Sequence, residues 1–154
     1  MIGIAIVATL VAYSIVVSQP LAYLVFMGSA QRALSAPAYI ELRQCINGVM
    51  TKRLPVIYVI ALATVILLLV LSLRTRNWNV LGASTVALLC LVFDVFLMLR
   101  ENVPINGVID RWSTTDYPED WTQYRTKWFT VFAYRQVVLL VGFLSLVVGA
   151  VFQS

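Results

Sequence analysis

The sequence predicts an all-α fold, namely an integral membrane four-helix bundle with an interfacial helix before the second span and a long polar loop before the fourth. Hydrophobic residues make up 61% of the 154-residue chain and charged residues only 12%, whereas soluble domains are about half apolar and about a quarter charged. Four apolar segments are long enough to cross a bilayer, which takes about 20 residues. No polar stretch is long enough for a second core, so residues 1–154 are expected to form a single transmembrane domain.

The four predicted spans are residues 2–27, 54–73, 80–99 and 129–152. Pro20 interrupts the first of them and is expected to kink the helix, because proline removes a helical hydrogen bond and clashes with the preceding turn. A signal peptide is a poor interpretation of this segment, since the segment lacks a basic start and a small-x-small cleavage site.

The segment between the first two spans contains a predicted interfacial helix. Its apolar residues recur three and four positions apart, as a helix with one apolar face requires: Tyr39, Leu42, Ile46 and Val49. We expect this helix to lie at the membrane surface and to run into the second span, with Lys52 and Arg53 at the level of the lipid headgroups.

Turn and capping signals separate the third span from the fourth. Pro104 disfavours continuation of the third helix, and Asn106-Gly107 is a turn signal. Asp116 followed by Glu119 matches a capping box, which predicts the start of a helix. We expect that helix to run unbroken from the water into the membrane as the fourth span.

The ionisable composition excludes several classes of site. The chain has no histidine, which is the commonest metal ligand and the usual general base. Cys45 and Cys90 lie at different predicted depths, so neither a disulfide nor a CxxC motif is expected. The acidic residues of the long loop have irregular spacing and basic neighbours, a pattern that disfavours a hard-metal site. No metal and no organic cofactor is therefore expected.

The basic residues give a predicted orientation. We call the membrane side that carries residues 28–53 and 100–128 the loop face, and the side that carries the short connection 74–79 the turn face. Most of the eleven Lys and Arg residues fall on the loop face, so the positive-inside rule predicts a cytoplasmic loop face, with both termini on the opposite side. A bacterial inner membrane is the expected location. The net charge of +4 is attributed to orientation and lipid contact, and no nucleic-acid partner is expected.

Three polar residues are expected at membrane depth in the half of the bundle nearer the loop face. Asp94 lies roughly 9 Å inward from the end of its span, Arg135 roughly 10 Å and Gln19 roughly 13 Å, at 1.5 Å per residue. A charge in hydrocarbon costs on the order of 3 kcal/mol, so we predict an ion pair between Asp94 and Arg135. The pair is open to two interpretations, a lock between two helices and one wall of a ligand cavity.

A stripe of aromatic and cationic residues descends the fourth helix toward this pair. At 100° per residue, five side chains share one line: Trp121, Arg125, Trp128, Phe132 and Arg135. One interpretation is a Trp/Arg interface belt with a packing role. The other is a wall that binds an aromatic or anionic ligand by stacking and cation–π contact.

Two motifs carry a family resemblance. They are Asn102-Val-Pro-Ile-Asn106 with Trp112, and Pro118-x-Asp120-Trp121-x3-Arg125-x2-Trp128-x6-Arg135. Over roughly residues 27–154 the chain resembles the anthrone-oxygenase-like family, a group of small four-helix membrane proteins that is largely a domain of unknown function. The resemblance implies cofactor-free oxidation of anthrones to anthraquinones for a few relatives, and no assigned activity for most.

The residues and the resemblance together give a set of candidate site residues. Asp94 and Arg135 are the catalytic candidates. The candidates for ligand binding are Gln19, Asn47, Asn102, Asn106, Trp112, Trp121, Arg125 and Trp128. Phe132 stands where many relatives carry His or Asn, which excludes a base at that position and leaves Tyr58 or Tyr134 as hydrogen-bond donors. The Asn side chains have an alternative role, as caps of helix ends.

Three functions follow as hypotheses. The first is a non-catalytic binding, accessory or oligomeric membrane component, and the small side chains of Gly142, Ser145 and Gly149 would permit close helix contact. The second is a cofactor-free oxygenase acting on a lipophilic aromatic substrate. The third is a small transporter or channel component, which the lack of an internal repeat disfavours. The expected partners are membrane lipids, a second copy or another membrane protein, and a lipophilic aromatic ligand.

Overall fold

The structure is a computed structural model that describes residues 2–153, and the described residues form helices and connecting turns without any strand. In chain order the elements are α1 (Ile2–Ala22), a first π-turn (Tyr23–Met27), α2 (Gly28–Arg32), α3 (Ala36–Arg74), α4 (Trp78–Leu97), a second π-turn (Met98–Asn102), α5 (Val103–Ile109) and α6 (Trp121–Val151). Four helical segments are long and apolar enough to cross a membrane. The all-α, four-helix membrane architecture is therefore confirmed.

The four long helices pack into one bundle. α4 and α6 form the most extensive contact, α1 packs on both α3 and α6, and α3 packs on α4. Each helix contributes fully buried side chains to a shared core, among them Tyr13, Val65, Leu91 and Leu139. The outward side chains of all four helices are also aliphatic and exposed. An apolar outer surface around an apolar core is the pattern of a bundle that is surrounded by lipid.

Two glycines of α6 allow the closest helix contacts. A Cβ atom at Gly142 would overlap the hydroxyl of Tyr13 on α1, and one at Gly149 would overlap Ala83 on α4. The small residues that the sequence offered for helix association thus serve contacts inside this bundle, where they bring backbones together.

The predicted interfacial helix and second span form one continuous helix, α3, of 39 residues. At 1.5 Å per residue its length is about 58 Å, roughly twice the hydrocarbon thickness of a bilayer. Its first half therefore extends beyond the hydrocarbon on the loop face, where α5 and the start of α6 pack against it.

One expectation about proline was wrong, namely that Pro104 ends the third helix. The kink at Pro20 stays a prediction: α1 remains helical through position 20, and its departure from α geometry comes later, at the first π-turn. Pro104 does not end the third helix, because the second π-turn leads directly into α5, which continues to Ile109. The amide of Val103 bonds back to the carbonyl of Met98, five residues earlier. This wider turn places Pro104 in the first turn of α5, where its missing N–H costs little.

The prediction of a capping box at Asp116 was also wrong. Ser113 closes a local turn with two hydrogen bonds to Asp116. The Ser113 hydroxyl accepts a hydrogen bond from the Asp116 amide at 2.9 Å, and the Ser113 amide donates one to the Asp116 carbonyl at 3.0 Å. Serine competes in this way with helix formation. α6 begins at Trp121 with Asp120 at its N-cap position, and it then runs without interruption to Val151, as expected.

Candidate functional site

Asp94 on α4 and Arg135 on α6 form a buried ion pair, as their matching depth predicts. The Nε of Arg135 donates to one carboxylate oxygen of Asp94 at 2.8 Å, and its Nη2 donates to the other at 3.2 Å. Asp94 is 0% exposed and Arg135 is 6% exposed. Two opposite charges at this depth cancel, which removes most of the cost of burying either one alone.

Tyr58 on α3 and Asn102 in the second π-turn complete a four-residue network around this pair. The Tyr58 hydroxyl donates to Asp94 at 2.5 Å and accepts from Nη2 of Arg135 at 3.2 Å. The side-chain oxygen of Asn102 accepts from Nη1 of Arg135 at 3.0 Å, and its amide donates to the Trp128 carbonyl at 3.2 Å. The network therefore ties together three of the four spanning segments.

The network is nearly saturated with internal hydrogen bonds. The carboxylate of Asp94 accepts three, two from Arg135 and one from Tyr58. A carboxylate offers about four acceptor positions, so at most one remains for any other molecule. Tyr134, the second tyrosine considered as a donor, is 66% exposed on the outer surface and takes no part. The arrangement is suited to holding three helices in register.

The middle of the aromatic stripe packs against α3 and α5. The indole N–H of Trp128 donates to the side-chain oxygen of Asn106 at 3.0 Å, and Arg43 donates to the same oxygen at 2.7 Å. The guanidinium of Arg43 lies 4.0 Å from the centre of the Trp128 ring, and the ring of Phe132 stacks on Trp128 at 4.7 Å. Asn106 is thus an internal acceptor, and the Trp128 ring is contacted by Arg43 and Phe132 of the same chain.

The outer part of the stripe is occupied in the same way. Arg125 lies 4.4 Å from the centre of the Trp121 ring and donates to the backbone carbonyl of Leu34 at 3.2 Å. Tyr39 of α3 lies 6.0 Å from Trp121. The stacking and cation–π contacts that a ligand was expected to make are made here by side chains of the protein itself.

Several buried polar atoms near the stripe have no hydrogen-bond partner among the described residues. They include the side-chain oxygen of Gln31, the hydroxyl of Tyr39 and the Nε of Arg43. Gln31 is anchored through its amide, which donates to the Tyr23 hydroxyl at 3.1 Å. An unpaired buried polar group costs about 1–3 kcal/mol. Tyr39 and Arg43 lie one turn apart on α3, and Gln31 lies on α2.

An open polar cavity lies outside the network, on the loop face between α3 and the end of α5. Its volume is about 500 Å³, and it is lined by Gln44, Asn47, Gly48, Thr51, Lys52 and Asp110. The Asn47 amide donates to the Asp110 carboxylate. Gln44 donates to the carbonyls of Ile109 at 3.1 Å and Trp112 at 2.8 Å. These two bonds satisfy carbonyls left free where α5 ends.

The candidate residues from the sequence fall into separate places. Asp94, Arg135 and Asn102 share the buried network, and Asn47 lines the open cavity. Trp121, Arg125 and Trp128 belong to the stripe itself, and Asn106 is bonded to Trp128. Trp112 packs edge-on against Tyr124 at 5.2 Å. Gln19 is half-buried on α1, which supplies no side chain to the four-residue network. Neither the open cavity nor a second one at the turn face is lined by Asp94 or Arg135.

All seven acidic residues and both cysteines lie within residues 2–153. Within that range no three His, Cys, Asp or Glu side chains gather closely enough to hold a metal ion. Cys45 and Cys90 are free thiols, the first exposed and the second half-buried.

Comparison with known proteins adds no relative: no family model, no curated protein and no solved structure matches the chain. The resemblance to the anthrone-oxygenase-like family stays a prediction that rests on the motif residues of the sequence.

Proposed function

We propose that this chain is a non-catalytic membrane component that binds at its loop face, and that its buried network holds the bundle in one arrangement. The observation that carries the proposal is the internal saturation of Asp94 and Arg135. All four hydrogen bonds that the Arg135 guanidinium makes end on Asp94, Tyr58 or Asn102. A polar network of this kind specifies helix register, because any other register would leave buried charges unpaired.

The loop face is the proposed working surface because accessible polar groups concentrate there. Exposed basic side chains at this end include Arg32, Lys52, Arg53, Arg111 and Lys127. We place this face in the cytoplasm of a bacterial cell, in accord with the positive-inside rule. Its partners would be membrane lipids, together with a second copy or another membrane protein.

A cofactor-free oxygenase is the second candidate, and one observation favours it. A phenol, a carboxylate and a guanidinium meet within hydrogen-bond distance at Tyr58, Asp94 and Arg135. Such a group has the components to remove a proton from an anthrone and to stabilise the resulting phenolate. A transporter is less well supported, because fully buried aliphatic residues such as Val65, Leu91 and Leu139 fill the bundle core.

A direct assay separates the two candidates. The purified protein in nanodiscs is mixed with an anthrone in air, and conversion of anthrone and O₂ into anthraquinone and water is followed by absorbance. We expect the rate to equal that of empty nanodiscs. Acceleration by the wild-type protein would overturn the non-catalytic proposal. Loss of that acceleration in a folded Asp94→Asn variant would then assign the chemistry to the network.

A further inference from the structure

The open cavity of the loop face carries two opposite charges that do not pair with each other. Lys52 and Asp110 both line it. The ion pairs found among the described residues join Arg100 and Lys127 to Glu101, and Arg135 to Asp94. The Lys52 ammonium and the Asp110 carboxylate are therefore more than 4 Å apart across a shared space. A ligand with one cationic and one anionic group would complement both side chains.

The position of the cavity points to the headgroup layer of the membrane. Lys52 and Arg53 lie on α3 immediately before its long apolar run, where basic side chains meet lipid phosphates. Asp110 reaches the same level from the end of α5, and its contact with Asn47 fixes it there. The volume of about 500 Å³ lies in the range of about 300–1,000 Å³ that is typical of small-molecule sites.

We propose that this cavity binds a phosphoethanolamine group, with its phosphate on Lys52 and its primary ammonium on Asp110. The amide oxygens of Gln44 and Asn47 provide further acceptors for the ammonium hydrogens. A trimethylammonium group has no N–H to donate to a carboxylate, so a choline headgroup is expected to bind more weakly. An anionic headgroup without an amine leaves Asp110 facing negative charge. The proposal deepens the binding role proposed above by naming the chemistry of the ligand.

The source of the phosphoethanolamine group is either a phospholipid or a free small molecule, and one experiment distinguishes them. The purified full chain is titrated with short-chain phosphatidylethanolamine, phosphatidylcholine or phosphatidylglycerol in micelles, and separately with free phosphoethanolamine. Binding is measured by native mass spectrometry and by the thermal midpoint. We expect the ethanolamine lipid to bind about tenfold or more tightly than either of the other lipids. Tight binding of the free molecule as well would assign a soluble ligand to the same site.

Charge-removing variants test the residues. Lys52→Gln and Asp110→Asn are each expected to weaken binding of the ethanolamine compound about tenfold or more. Arg74→Gln is the matched control, because it removes the same charge from an exposed side chain of the same helix on the turn face, outside the cavity lining. Far-UV circular dichroism of each variant verifies the fold.

Two results would overturn the proposal. One is equal binding of all three lipids, and the other is equal loss in Arg74→Gln and Lys52→Gln. Both results differ from a failure of the proposed function. That failure would appear as anthrone turnover and would be independent of lipid preference.

Discussion

Removal of the Arg135 side chain tests whether the buried network holds the bundle together. Arg135→Leu deletes four hydrogen bonds and leaves Asp94 buried with only the Tyr58 hydroxyl as a partner. Interhelical hydrogen bonds in membranes average about 0.6 kcal/mol, so the bonds alone give a lower bound of about 2 kcal/mol. Breaking a buried ion pair from one side costs about 3–5 kcal/mol. We expect a loss of about 2–5 kcal/mol in the free energy of unfolding.

The double variant Asp94→Leu/Arg135→Leu separates a structural lock from simple loss of packing. With both charges gone, no unpaired ion remains, and such replacements are often neutral or stabilising. We expect the free energy of unfolding of the double variant to lie within about 2 kcal/mol of the wild type. The remaining difference is the cost of leaving Tyr58 and Asn102 short of hydrogen-bond partners. Stability would be measured by reversible unfolding in mixed micelles, followed by circular dichroism. Tyr134→Leu, at the exposed neighbouring position, serves as the control and should change stability by less than about 0.5 kcal/mol.

Two outcomes would refute this reasoning. The first is a cost below about 1 kcal/mol for Arg135→Leu, which would mean that the pair contributes no more than an ordinary surface ion pair. The second is a double variant less stable than either single variant, because that would assign the effect to side-chain volume and not to charge.

Two further predictions use matched pairs of the same residue type. Tyr58→Phe should destabilise the protein by about 1–3 kcal/mol, because it removes a hydrogen-bond partner of two buried charges. Tyr39→Phe should cost almost nothing, since that hydroxyl has no partner among the described residues. Thermal unfolding of both variants checks this, and a larger loss in Tyr39→Phe would contradict it. Gly142→Ala should destabilise by about 1–3 kcal/mol through overlap with a buried tyrosine hydroxyl. Gly82→Ala, whose added methyl meets nothing within 4 Å, should stabilise by about 0.5–1 kcal/mol, and equal effects of the two substitutions would count against the close packing of α6.

The sequence was a good guide to depth within the membrane. Counting residues along regular helices placed Asp94 and Arg135 at the same level, and the structure joins them at 2.8 Å. Rise per residue is nearly constant in a helix, so small errors in the helix ends do not disturb this estimate. Successive residues of a helix are rotated by about 100°. Because Arg135 points inward, its neighbour Tyr134 faces outward.

The sequence was a poorer guide to rotation and to contacts between distant segments. Asn102 meets Arg135 only because the second π-turn changes the rotation of the chain after Leu97, and no propensity marks such a turn. The helix start at Asp116 failed because a serine turn competes with the capping box. Lys52 and Asp110 come together through the docking of α5 on α3, which hydrophobic periodicity does not encode.

The two π-turns make the length of the chain at the loop face a constraint on its chemistry. A π-turn takes up one extra residue within an α-helix, so the residues after it occupy the places they would have in a regular helix that is one residue shorter. One more residue inserted within Met98–Glu101 would rotate everything that follows by about 100°, and it would carry Asn102 away from Arg135 and Asn106 away from its indole and guanidinium donors. A single insertion in this segment would thus disconnect the buried network and the aromatic stripe together, although it substitutes none of their residues.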